Sequence, residues 1–253
     1  MITSTANARV RLARALQTQA KARRREGRVA LEGLRLVRDA VASGHQPDFI
    51  LYTPGSAEID AFVNASRLEA LAISEGVMRC ISDTQQPQGI VGVFSTPKLP
   101  LPALPQRALL LDALRDPGNL GTILRTAAAA GVDAVLLAPG CVDPFNPKVL
   151  RAGMGAHFRV PLAERAWPEI ETFCAPLTVY LADARADLRH DQADWSRPWA
   201  LIVGGEASGA GQEAARLAQA RIAVPMASAT ESLNAAAAAA VILFEARRQA
   251  GWP

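Results

Sequence analysis

Three stretches of this sequence combine residue types that could do chemistry. The first reads Leu111-Asp112-Ala113-Leu114-Arg115-Asp116-Pro117-Gly118-Asn119-Leu120-Gly121 and runs on to Arg125. Asp-Pro-Gly-Asn has an ordinary structural use as a turn, with Asn119 as a candidate helix cap. Arg125 has no such use. It falls two turns into a pattern of small and apolar residues, where a guanidinium is costly unless it faces an anion or a partner. The second stretch, Leu201-Ile202-Val203-Gly204-Gly205-Glu206-Ala207-Ser208-Gly209-Ala210-Gly211, sets glycines directly after an apolar strand, where backbone can approach a ligand closely. It lacks the lysine of a phosphate loop, and Glu206 would repel a phosphate. A loose dinucleotide pattern from Gly209 to Ala214 begins past the strand, and the next strand ends in Pro225-Met226 rather than in a ribose-binding acid. The third stretch, Val224-Pro225-Met226 through Ser232-Leu233-Asn234, leads into a run of six alanines. Ser232 could cap that helix, and the alanines permit close approach of another element.

These stretches need elements to hold them. From residue 107 the chain alternates apolar strands with helices: strands at 108–112, 134–137, 177–181, 199–203 and 221–224, helices at 120–130, 212–220 and 232–249. Near-continuous apolar strands with helices between them imply an α/β fold whose parallel sheet is covered on both faces. Ligands of such sheets sit at the carboxyl ends of the strands, where all three stretches fall. Residues 97–106, with Pro97, Pro100, Pro102 and Pro105, form an extended linker. Residues 1–96 read as a separate, small α/β domain. It would hold a basic helix at 6–25, a helix at 33–43, a strand at 49–53, helices near 57–72, and strands at 78–82 and 90–95.

Half of the 253 residues are apolar and a fifth are charged, which excludes a disordered chain. Cys80, Cys141 and Cys174 have neither metal-ligand spacing nor a nearby histidine, so no metal site is expected and the thiols read as buried groups in a reducing cytoplasm. The longest apolar run, 235–244, is too short to span a bilayer, and no membrane role is expected. The formal charge of +3 is unevenly spread. Residues 1–30 carry eight cations against Glu26 alone, a net +7, and the remainder has nineteen cations and twenty-three acids, a net −4. A basic arm on an acidic body points to a polyanionic partner. An Arg-rich, acid-poor start also suits a transit peptide.

Taken in order, the three stretches resemble the signature motifs of the TrmH/SpoU branch of the SPOUT RNA methyltransferases: Asp116-Pro-x-Asn119-x-Gly121 with Arg125, Val203-Gly204-x-Glu206-x-x-Gly209, and Val224-Pro225-Met226 with Ser232-Leu233-Asn234. Residues 1–96 resemble that family's accessory, ribosomal-protein-like RNA-binding domain, through Ser4, Asn7, Arg11, Lys21, Arg23–Arg25 and Glu32-Gly33-x-Arg35. A segment that belongs to a domain is not a cleaved leader, which counts against the transit peptide.

The resemblance implies a SPOUT domain over residues 107–253, with a trefoil knot in its parallel sheet, S-adenosyl-L-methionine as methyl donor, no metal, and a homodimer. It implies methylation of a ribose 2′-hydroxyl, with ribosomal RNA ahead of transfer RNA, which stays open as the alternative substrate. Carried over by residue, Gly204, Val224 and Leu233 would line the donor pocket with Gly205 and Met226 beside them, and Asn119, Arg125, Glu206, Ser232 and Asn234 would surround the ribose. Ala235-Ala236 stand where the family commonly has Val-Ser. Arg9, Arg11, Lys21, Arg23, Arg24, Arg25 and Arg35 are the expected RNA contacts. Rival readings are a catalytically silent RNA-binding assembly factor of the same fold and a nucleotide-dependent oxidoreductase.

Overall fold

The computed structural model describes residues 1–206, 209–227 and 231–251. The chain divides into two compact units, Met1–Pro97 with Phe145–Phe158, and Lys98–Pro144 with Arg159–Pro253.

In the first unit, α1 (Ala8–Thr18) is opened by Asn7, whose side chain accepts hydrogen bonds from the backbone N–H groups of Arg9 and Val10. The single basic helix expected over 6–25 breaks at Gln19, which is extended, and resumes as α2 (Ala20–Glu26). There follow β1 (Arg28–Glu32), α3 (Leu34–Ala42), β2 (Pro47–Tyr52), α4 (Ala57–Ala65), β3 (Ala70–Ala72), α5 (Glu75–Ile81) and β4 (Ile90–Ser95). Two expectations are corrected here. The helical stretch near 57–72 ends at Ala65, and its tail is β3, which pairs parallel to β2. Residues 78–82 are not a strand but part of α5, because Ser74 caps a turn at Val77 N–H and Val77, Met78 and Ile81 bury one helical face.

The sheet order is β1-β4-β2-β3, with β4 antiparallel to both neighbours. Alternate residues feed two cores. Ala30, Leu51, Val91 and Val93 pack with Val10 and Leu16 of α1 and Val77 and Ile81 of α5. Val29, Leu31, Ile50, Ile90 and Phe94 pack with Leu36 and Val37 of α3.

The second unit begins with β5 (Arg107–Asp112), α6 (Pro117–Ala130) and β6 (Ala134–Leu137). The next helix, α7 (Pro147–Gly153), packs within the first unit instead. Leu150 and Phe158 join the core of Val29, Leu31 and Phe94, and Arg151 pairs with Asp83 at 3.1 Å. A short apolar face carries no label of its destination, so nothing in the sequence separates these residues from 107–253. The chain continues through β7 (Leu162–Glu164), α8 (Trp167–Cys174), β8 (Thr178–Ala182), β9 (Leu188–Arg189), β10 (Trp199–Gly204), α9 (Gln212–Leu217), β11 (Ala220–Ala223) and α10 (Ala235–Ala250).

These seven strands form one wholly parallel sheet in the order β7-β6-β5-β10-β8-β11-β9. Leu109–Leu111, Val135–Leu137 and Ala200–Ile202 are buried, as a sheet covered on both faces requires. Helix α6 packs against α10. Parallel strands put Asp112, Leu137, Ala182, Gly204 and Ala223 on a common edge, and the residues after them build the site.

Candidate active site

Helix α6 starts at Pro117, and its cap is Asp116 rather than Asn119: the Asp116 carboxylate accepts the Asn119 backbone N–H at 2.7 Å. Proline at the first helical position costs nothing there, because its missing N–H has no partner in the first turn. The cap frees the Asn119 side chain for other work. Its Nδ2 donates to Glu206 Oε1 at 2.7 Å, and its Oδ1 accepts from Asn234 Nδ2 at 2.9 Å. The oxygen of Asn234 in turn accepts from the backbone N–H groups of Ala236 and Ala237, so Asn234, not Ser232, caps α10. One hydrogen-bonded chain, Asn234 to Asn119 to Glu206, therefore joins the three stretches. Burial raises the Glu206 carboxyl, but the Asn119 amide and the backbone amides of Glu206, Arg115 and Asp116 outweigh it and hold the group below its ordinary value.

The loop that carries Glu206 is held by backbone contact. A Cβ on Gly204 would overlap the backbone of Gly209 and Ala210, and one on Gly205 would overlap the Ala113 carbonyl. The close approach expected at these glycines is thus made by the chain's own backbone. Ala113 itself is left-handed, with φ 52°, where β5 turns towards α6. Below the loop, the Asp112 carboxylate, 5% exposed, accepts the Gly211 N–H at 2.6 Å. Sequence reasoning missed Asp112 and Asp116 as site residues. The available signals were an acid closing an apolar strand and the cap spacing from Asp116 to Asn119.

Arg125 lies on the solvent face of α6 in a stripe with Gly118, Thr122 and Ala129. Its guanidinium is exposed and, among the described residues, has no hydrogen-bond or ionic partner. The burial cost that made it conspicuous in the sequence is therefore not incurred in this chain. Ser232 is also exposed and lies outside the hydrogen-bonded chain. Of the expected donor-site residues, Gly204 ends β10, Val224 and Met226 follow β11 half-buried, Gly205 is buried, and Leu233 is 36% exposed beside Asn234.

The expected RNA contacts divide. Arg11, Lys21, Arg24, Arg25 and Arg35 are exposed. Arg9 is shared between Glu69 and the Phe49 ring, and Arg25 is paired with Glu26. Arg23 is turned inward: it is 6% exposed and donates to the Leu16 carbonyl at 2.7 Å, closing the α1–α2 turn. That placement corrects its assignment to RNA, since a buried guanidinium bound to backbone presents no charge to a polymer. The thiols are corrected too. Cys174 is buried, but Cys80 and Cys141 are half-buried; burial pushes Cys141 up to about 11 and Cys174 to about 12, so neither is a thiolate nucleophile at neutral pH. Among the described residues, no group of three His, Cys, Asp or Glu could hold a metal and no helix is long and apolar enough to cross a membrane.

Comparison with known proteins places this geometry. Residues 106–244 match the SpoU rRNA Methylase family, and residues 7–92 match the MRM3-like substrate binding domain. The Bacillus subtilis 23S rRNA (guanosine(2553)-2′-O)-methyltransferase RlmP is 35% identical, over 97% of this chain and 98% of the relative. The human mitochondrial rRNA methyltransferase 3 is 35% identical, over 90% of this chain and 69% of the relative. A crystal structure of an rRNA methyltransferase from Sinorhizobium meliloti superposes with a TM-score of 0.85 at 35% identity, over 98% of this chain and 97% of that one. The Streptomyces viridochromogenes SpoU methyltransferase AviRb, solved with AdoMet, superposes with a TM-score of 0.88 at 27% identity, over 96% and 98% of the two chains. The three strand-end stretches, brought together by one hydrogen-bonded chain, thus sit in a protein that belongs to the SpoU rRNA methylase family.

Proposed function

We propose that this protein transfers a methyl group from S-adenosylmethionine to a ribose 2′-hydroxyl of ribosomal RNA. The observation that carries the reading is the joining of Asn119, Glu206 and Asn234, from three separate strand ends, into one polar cluster at the carboxyl edge of the sheet. A silent RNA-binding factor has no need of that cluster, and an oxidoreductase would need an acid after β11, where Val224 and Pro225 stand. Ribosomal RNA is preferred over transfer RNA because the relatives are named for it.

The residues suit the donor. Val224, Met226 and Leu233 leave apolar surface uncovered after β11 and before α10, appropriate to an adenine ring, and Gly204 and Gly205 bring backbone to the same edge. When bound, the donor supplies an activated methyl on a sulfonium, which needs no metal. The protein's own task is then placement and charge: alignment of the reacting atoms can supply about 7–11 kcal/mol in favourable cases. Asn119 and Asn234 have their oxygens engaged and an amide hydrogen each to spare, so they can orient an oxygen-bearing substrate. Arg125 is a permanent cation that can clamp the adjoining phosphate and stabilise negative charge on the attacking oxygen. We include the family's trefoil knot in the proposal. In its support, the late strand β11 lies between β8 and β9 rather than at a sheet edge.

We further read the protein as a homodimer. Ala237, Val241 and Phe244 form an exposed stripe on α10, with Val241 41% and Phe244 40% exposed, and a second copy packed on it would cover this apolar surface. The free thiols suit the cytoplasm.

Three outcomes are expected. Arg125→Ala melts with the wild type, since nothing described leans on its side chain, yet transfers labelled methyl to ribosomal RNA transcripts about 10²–10³-fold more slowly; equal rates would remove Arg125 from the site. RNA affinity falls steeply with salt, and Arg11→Ala or Arg35→Ala each lower the slope of log K against log salt by about 1; a salt-independent affinity contradicts the cationic surface. In sedimentation the wild type runs as a dimer and Phe244→Glu as a monomer; a monomeric wild type contradicts the interface.

A further inference from the structure

The transfer leaves a proton to be placed, and the side chains that could take it can be compared among the described residues. Arg125 has donors only, and its guanidinium does not lose a proton in proteins at neutral pH. The Asn119 oxygen is taken by Asn234, and the Asn234 oxygen by two backbone N–H groups. Asp116 is committed to the α6 cap, and Asp112 is buried against Gly211. Glu206 differs. Its side chain is exposed, Oε1 is fixed by the Asn119 amide at 2.7 Å, and the backbone amides of Glu206, Arg115 and Asp116 face the same carboxylate. It is an ionised carboxylate held in one orientation beside Asn119 and open to solvent, and a carboxylate has about four acceptor sites, so these donors do not exhaust it.

We propose that Glu206, and not Arg125, accepts the 2′-hydroxyl proton of the target ribose as the methyl group is transferred. The assignment rests on the ribose-methylation reading above. The ribose oxygen forms its bond to the methyl carbon while the carbon–sulfur bond breaks and its electron pair stays on sulfur. The O–H bond breaks and its proton goes to Glu206. A sulfonium, a carboxylate and an alcohol become a thioether, a carboxylic acid and a methyl ether, so charge and atoms balance. A weakly basic carboxylate is sufficient because the hydroxyl changes, as the new bond forms, from an alcohol into a protonated ether, which is a strong acid. What matters is that the acceptor is ionised and in place, and the Asn119 hydrogen bond secures both.

The charged groups on the surrounding elements are Arg115 and Asp116 before α6, Arg125 on α6, Asp112 at the end of β5, Glu213 at the start of α9 and Glu231 ahead of α10. With Glu206 already ionised, the single-turnover rate of the wild type on a ribosomal RNA transcript is expected to be flat from about pH 6 to 9. Glu206→Gln keeps an oxygen for Asn119 but cannot hold the proton. It is expected to lose about 10²–10⁴-fold at pH 7 and to recover with rising pH as hydroxide takes over. Its calorimetric affinities for S-adenosylhomocysteine and for the transcript should match the wild type. A Glu206→Gln rate within tenfold of wild type overturns the assignment. So does a wild-type rate that climbs tenfold per pH unit, the behaviour of an acceptor that must first lose a proton; this profile decides the matter even if the variant does not fold. A wild type that methylates no RNA overturns the ribose reading and this assignment together, whereas methylation by both proteins at similar rates overturns this assignment alone.

Discussion

Everything at the site depends on the side-chain amide of Asn119 having both ends engaged. Its nitrogen faces Glu206 and its oxygen faces Asn234, so one residue orients the loop after β10 and the start of α10 at once. This is possible only because Asp116 takes over the capping of α6. Had Asn119 been the cap, its oxygen would have been spent on a backbone N–H and the three strand ends would have had no common member. A hydrogen bond to a charged group contributes about 1.5–3 kcal/mol, enough to select one rotamer of Glu206 over its alternatives.

The loops under this cluster are positioned by contacts that leave no room for side chains. Gly204 and Gly205 lie against the backbone of Gly209, Ala210 and Ala113, and the buried Asp112 carboxylate ties Gly211 to the end of β5. Register fixes the arrangement further, since Gly204 pairs with Asp112 across the β5–β10 ladder. A carboxylate on a flexible loop would sample many positions. Here Gly204 and Gly205 before Glu206 and Gly211 after it are held by contacts, and the carboxylate itself is held from α6.

The sheet was legible because its strands are short apolar runs punctuated by Gly, Pro or an acid, and β6 falls where the sequence placed it. The motif residues were legible through their order along the chain, and a resemblance supplied their roles. What was not legible depends on three-dimensional partners. Ser74 and the spacing of Val77, Met78 and Ile81 make α5 a helix where a short apolar run suggested a strand. Arg23 looks like its neighbours in sequence, and only the turn at Gln19 brings the Leu16 carbonyl within its reach. Arg125 was conspicuous for a cost it does not bear, because α6 turns it to solvent. Composition said only that the first thirty residues are basic; burial decided which of those cations face outward.

The central claim is that this site methylates a ribose oxygen and not a base. The 2′-hydroxyl is the nucleophile in alkaline cleavage of RNA, so its methylation protects the adjoining phosphodiester. The direct measurement is to transfer labelled methyl groups to ribosomal RNA with the wild-type protein, digest with alkali, and separate the products by charge. Label in alkali-resistant dinucleotides is the predicted result. Label in mononucleotides, the signature of a methylated base, would contradict the account.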